Sequence, residues 1–184
     1  MLKRLSCKED DVIIIKINGH AYTLAQMRRN GIMQFFDIVR PVSEWSGVDL
    51  NDVPSLFFIF VAERGLGPIV VDKVPSSVVG RSKCPVPKTM LSAVIGNAGE
   101  YGADLVELTD DFSSYGARII KSGLNVAEDR DLIYRFELAG VQGDPEKIRK
   151  RLERYFEHGI NWDSSKEFIF KDIPPPPPHY YGRG

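Results

Sequence analysis

The chain is poor in the residues that most chemistry needs. It has two cysteines and three histidines in 184 residues. Cys7 and Cys84 lie far apart, and neither belongs to a Cys-x-x-Cys pair. That spacing excludes a zinc ribbon and a dithiol redox motif, and two lone thiols fit a reducing compartment. His20, His158 and His179 show no His-x-His or His-Glu-x-x-His spacing, so no metal signal is present. There is no Gly-x-Ser-x-Gly nucleophile elbow. Neither sign of charge is in excess: 24 basic and 25 acidic side chains leave a formal net charge of -1. This argues against a nucleic-acid binder working through bulk charge. The longest apolar run, Leu56 to Ala62, is far too short to span a bilayer. The basic start "MLKRLSCKEDD" has no apolar run behind it and does not read as a secretory signal. The expectation is a cytoplasmic protein with no membrane or nucleic-acid partner and with no metal or cofactor.

The hydrophobic fraction of 43% is ordinary for a globular protein and is enough for a real core. "VIIIKI" (Val12 to Ile17) is rich in β-branched residues and reads as a strand. Asn18–Gly19 follows it, a pair that favours positive φ and hairpins. "HAYTLAQM" is the return strand, Arg29 to Gly31 a second turn, and "IMQFFDIV" a third strand. Residues 12–39 are thus predicted to form an antiparallel meander. Residues 40–55 read as a loop. "LFFIFVAERG" reads as a strand buried on both faces, with "GPIVVDKV" as its hairpin partner. Residues 75–88 read as an extended connection. "LSAVIGN", "ADLVELTD" and "GARIIKSG" are weaker strands, "LIYRFELAG" (Leu132 to Gly140) a firm late one, and "KEFIFKDI" the last.

One helix stands out, at residues 145–158. Asp144 is placed to cap it, Pro145 to start it and Gly159 to stop it. Ile148, Leu152, Tyr155 and Phe156 form its apolar stripe, with Lys147, Lys150, Arg151 and Arg154 opposite. The predicted fold is α+β: a curved antiparallel sheet or small open barrel with one C-terminal amphipathic helix. Residues 1–173 make a single β-rich domain. Residues 174–184 make a proline-rich tail, extended as polyproline II, that is mobile or packs passively, or else serves as a ligand for a partner.

Candidate functional residues are few. His20 after a turn and His158 near a helix end have ordinary structural explanations. Cys84 has Arg81 and Lys83 beside it but no base. The glycines of "GNAGEYG" (Gly96 to Gly102) lack the spacing of a phosphate loop. Carboxylates cluster more than anything else, in predicted loops at 8–11, 49–52, 107–111 and 127–131. Asp favours turns for its local hydrogen bonds, so these groups are either solvated turns or an acidic face that steers a basic partner. The candidate partner-binding set is Asp49, Asp52, Asp110, Asp111, Glu128 and Asp129, with Trp45 and Tyr115 as aromatic anchors.

"DDVIIIKINGHAYTLAQM" followed by "MQFFDI", with Phe35, Phe36 and Asp37 closing an apolar strand, resembles the opening of the immunity protein 26 family. "DPEKIRKRLERYF" is similar to that family's C-terminal helix, so the resemblance spans roughly residues 10 to 160. It implies a bacterial immunity protein that binds a cognate protein toxin and neutralises it stoichiometrically, without catalysis. Some relatives carry a phosphotriesterase label. The alternative is accordingly a small hydrolase using His20 with Asp10 or Asp11. A third reading is a scaffold module that recruits a partner through its proline-rich tail.

Overall fold

A computed structural model describes residues 6–96 and 100–180 of the chain. Val12–Asn18 (β1), Ala21–Met27 (β2) and Ile32–Phe36 (β3) form the predicted meander. Its two Asn-Gly turns work differently. Asn30 and Gly31 take left-handed φ values of 51° and 74°, and the Ile32 N–H donates to the Arg29 carbonyl. That is the hairpin turn with positive φ at both centres. Positive φ was also predicted for Asn18–Gly19, but neither residue adopts it. There the Asn18 Oδ1 accepts from the His20 N–H at 3.0 Å, and the register slips between Lys16 and Asn18.

After the short strand Val48–Asp49 (β4) come Ser55–Phe60 (β5) and Val70–Val74 (β6). The main sheet runs β5-β3-β2-β1-β6, antiparallel throughout. β6 is therefore not the hairpin partner of β5. It pairs with β1 at the far edge, where β1, buried on both faces, has backbone groups to satisfy. Just past the end of β5, Val61 bridges to Gln142.

Each face of the main sheet has its own core. Ile13, Ile15, Ile17, Met27, Met33, Phe35, Phe57 and Ile59 point one way, and Val12, Ile14, Leu24, Ile32, Phe36, Phe58 and Phe60 point the other. Between the two apolar halves of the second face lies a polar row. Gln26 and Gln34 are cross-strand partners, both buried. Gln26 Oε1 accepts from the Ser82 N–H at 2.8 Å, and Gln34 Nε2 donates to Ser55 Oγ at 2.7 Å. The segment with Val79–Gly80 (β7), which pairs in parallel with β4, is pinned there.

Thr89–Ile95 (β8), Tyr101–Glu107 (β9) and Arg118–Lys121 (β10) form a second sheet in the order β10-β9-β8. Met90 and Val106 pack against Phe58 and Phe60 of the main sheet. Leu91, Ala103 and Leu105 face the other way, toward helices. The fold is α+β and open, not a closed barrel.

Three α-helices are present among the described residues, where the sequence predicted one. Val126–Arg135 (α1) takes the first half of the predicted late strand. Asn125 caps it by accepting from the Glu128 N–H, and buried Ile133 and Tyr134 face the core. Past the helix, the remainder of that strand makes only one bridge, Leu138 with Leu91. Pro145–His158 (α2) is the predicted helix. Asp144 Oδ1 caps the Glu146 N–H, and Gly159 ends it at φ 71°. Ile148 and Leu152 are buried on the first face of the main sheet, worth ~1.5–3 kcal/mol each in transfer terms. The predicted last strand is instead Ser165–Ile169 (α3), started by Asp163 Oδ1 accepting from the Ser165 N–H. From one side to the other the layers are α2, the main sheet, the second sheet, then α1 with α3.

The proline-rich segment packs on the body as far as Tyr180. Ile173 and Pro176 are buried, and the Tyr134 hydroxyl donates to the Pro174 carbonyl at 2.9 Å. Residues 1–5 of the predicted non-signal start, 97–99 of the glycine stretch and 181–184 of the tail lie outside the described residues. Among the described residues no helix is long and apolar enough to cross a membrane.

Candidate functional site

The β9–β10 connection carries three of the predicted partner-binding residues. Leu108 and Phe112 bury their side chains against the sheet interface, which ties the loop down at both ends of its turn. The Ser113 N–H donates to Thr109 Oγ1 at 3.0 Å and the Phe112 N–H to the Thr109 carbonyl at 2.9 Å. Asn30 Nδ2 holds the Phe112 carbonyl at 3.0 Å from the neighbouring hairpin. Phe112 sits at φ 56°, a conformation costing about 1–3 kcal/mol for a non-glycine residue, which burial of its ring offsets. The result is a platform tied to both sheets. Tyr115 stands 93% exposed upon it. Asp110 is paired with Lys88, whose hydrogen-bonded ammonium holds the carboxyl below its usual range, and Asp111 is exposed beside it.

The other predicted residues are placed differently. Trp45 is only 2% exposed, packed in the core with the Arg40 guanidinium 5.1 Å from its ring centroid. It is not a surface anchor, because the loop around it folds onto the second face of the main sheet. Its indole N–H is buried without an acceptor among the described residues. Asp49 forms a local turn: its Oδ1 accepts from the Asn51 N–H at 2.9 Å and from Asn51 Nδ2 at 2.7 Å, and these bonds lower its pKa. Asp52 is exposed beside it.

Residues 127–131 are not a loop but the first turns of α1. Glu128 is exposed there, but Asp129 is 3% exposed. Its carboxylate takes Lys121 and the Asn125 N–H, and the Lys121 hydrogen bond depresses its pKa. Asp129 is therefore a structural ion-pair partner. No hydrogen bond or ion pair among the described residues joins the groups at 49–52, 110–115 and 128–129 to one another.

His20 and the acids proposed to work with it lie at opposite ends of β1, about 20 Å apart at the rise of a strand. Asp11 is paired with Lys73, and Asp10 Oδ1 accepts from Gln26 Nε2 at 2.8 Å. Among the described residues no three His, Cys, Asp or Glu side chains gather as a metal would require.

A polar cleft of about 350 Å³ went unread in the sequence. It lies between the ends of β3 and β5, the C-terminal ends of α1 and α2, and the proline segment. Tyr155 donates to Asp37 Oδ2 at 2.8 Å on one wall. Arg135 ends α1 and Glu137 follows it, and Pro176, Pro177, His179 and Tyr180 come from the tail. Behind it, Arg151 binds both Glu137 oxygens, donates to Asn161 Oδ1 at 2.8 Å and lies over the Phe57 ring. Burial pushes the Glu137 carboxyl up, but the Arg151 and Lys166 cations outweigh it and hold it below the usual range. Lys166 is itself buried, donating to the Ile133 carbonyl at 2.7 Å, and desolvation pushes its pKa down to about 8. The helical spacing places Arg151 opposite the apolar stripe of α2, yet it is buried. Its place in the core depends on Glu137, a partner distant in sequence.

Comparison with curated proteins and with solved structures finds no match. Residues 2–174 do match the family DUF8309, described as a domain of unknown function, and the chain belongs to that family.

Proposed function

We propose that the protein binds another protein stoichiometrically and acts as an immunity protein, neutralising a toxin domain by occluding it. The observation that carries this is the loop at 108–117: an exposed tyrosine and two exposed carboxylates on a platform held by buried side chains and strained backbone. A pre-ordered aromatic contact loses little entropy on binding, and tyrosine is enriched among residues that dominate interface energy. The neighbouring carboxylates would speed encounter with a basic surface. The toxin as partner comes from the resemblance of the opening strands and of α2 to immunity proteins. The platform supports protein binding in general.

The test is calorimetric titration of the full chain with a toxin domain encoded beside its gene, paired with growth rescue of cells expressing that domain. The expected result is a 1:1 complex, restored growth, and weaker binding by a folded Tyr115→Ala variant. If the domain binds without Tyr115→Ala having any effect, the platform is not the interface. If neighbouring toxin domains neither bind nor are neutralised, the immunity reading is lost.

A further inference from the structure

The tail meets the body through a set of specific contacts. Five consecutive prolines, Pro174 to Pro178, have φ fixed by their rings and favour the extended polyproline II form, which has no hydrogen bonds of its own; a turn closes its end, where the Tyr180 N–H donates to the Pro177 carbonyl at 3.2 Å. The body supplies one partner: the Tyr134 hydroxyl donates to the Pro174 carbonyl at 2.9 Å. Pro176 is buried. At the far end the His179 N–H donates to the Gly159 carbonyl at 2.9 Å, and the imidazole covers the face of Gly159 where a side chain would project. The Tyr180 ring meets Tyr134 edge-on at 5.2 Å, and its hydroxyl bonds Asp131. Tyr134 is braced from behind by Trp162, edge-on at 5.6 Å.

We infer that the groove formed by Tyr134, Gly159 and the adjoining cleft wall of Asp37, Leu56 and Tyr155 is a recognition site for proline-rich extended segments, occupied in this structure by the chain's own residues 174–180. Its parts resemble those of polyproline recognition elsewhere: Tyr134 and Tyr155 line the cleft beside Pro176 and Pro177, and a hydroxyl donates to a proline carbonyl. The ligand in place identifies the chemical class. A tethered ligand competes at high effective concentration, so a segment from another molecule binds to the extent that the tail lets go. This site is independent of the loop at 108–117.

The test uses the full chain and a labelled peptide of sequence PPPPPHY, with binding read by fluorescence anisotropy. In the wild type the tail should hold the apparent affinity low. The double substitution His179→Gly with Tyr180→Ala weakens the tail only, and glycine suits the left-handed backbone at position 179 (φ 54°). It should tighten peptide binding about tenfold or more. Adding Tyr134→Phe, which removes the donor but keeps the ring, should abolish that gain, and a peptide with alanine at its central proline should not bind. A tail-weakened variant with native near-ultraviolet dichroism that binds no peptide at millimolar concentration would overturn the inference, as would binding indifferent to Tyr134→Phe.

Discussion

Arg151 grips both carboxylate oxygens of Glu137, at 2.6 and 2.9 Å, from a helix that the sequence separates from Glu137 by a loop. The guanidinium also lies 3.8 Å from the Phe57 ring centroid. Breaking a buried pair strands the surviving charge. Arg151→Leu or Glu137→Leu alone should destabilise by about 3–5 kcal/mol in urea denaturation. The double replacement by Leu should cost much less than the sum. Additive losses would mean that the two groups do not act as a pair.

Leu152 is fully buried where α2 meets the main sheet. Leu152→Ala should cost ~2–5 kcal/mol. A change within about 0.5 kcal/mol, as at surface sites, would put α2 on the wrong face.

Neutralising Asp110 and Asp111 together should slow association with a partner while leaving the urea midpoint in place. Stopped-flow mixing at two ionic strengths checks this, since screening at 1 M salt shortens the Debye length to ~3 Å and should erase the difference. Asp129→Asn belongs to another class: it weakens the buried link to Lys121 and should lower stability.

Gly159 has two duties. Its φ of 71° suits glycine, and an added Cβ would lie 2.5 Å from His179 Nε2. Gly159→Ala should destabilise by about 1 kcal/mol through the backbone alone. Because the obstructing atom ends a movable side chain, the tail should also lift. Limited proteolysis would then cut near residues 179–180 faster than in the wild type, by more than the loss of global stability explains.

Lys166 makes stability depend on pH. Its folded pKa of about 8 lies below the unfolded value near 10.4, so between them the unfolded chain holds the proton and the folded chain does not. Stability from this group therefore rises with pH across that window, by at most about 1.4 kcal/mol per unit. Burial lowers the value most, with the facing Glu137 and Asp163 raising it and Arg151 lowering it further. Cys7, pushed up to about 11 by burial, acts in the opposite sense above pH 9. Between pH 8 and 9 the urea midpoint of the wild type should rise relative to that of Lys166→Met. Parallel curves would mean that Lys166 keeps its proton.

The meander and α2 were legible because their signals are local: alternation, Asn-Gly pairs, and a helix with both caps written beside it. "LIYRF" and "KEFIF" misled for the same reason. Their apolar and aromatic residues suit strands, and the local hydrogen bonds at the helix starts, from Asn125 at the cap of α1 and from Asp163 ahead of α3, lie outside the apolar runs. β6 was given to β5 because they are neighbours in sequence, whereas pairing follows whichever edge still has groups to satisfy. At the candidate site, Tyr115 could be named from its acidic surroundings, but not the burial of Trp45 or Asp129. The cleft was invisible, since Asp37 and Tyr155 meet only after the main sheet and α2 have packed.

The layer order bears on synthesis. The face of the main sheet with Ile13, Ile15 and Phe35 is covered by α2, which leaves the ribosome well over a hundred residues after β1. At ordinary elongation rates of about 5–20 residues per second, that face waits roughly ten seconds for its cover. During that interval the nascent chain carries an apolar surface and an unpaired strand edge. A chaperone that binds such surfaces has its longest opportunity here, and a ribosome stalled before α2 would release an aggregation-prone fragment.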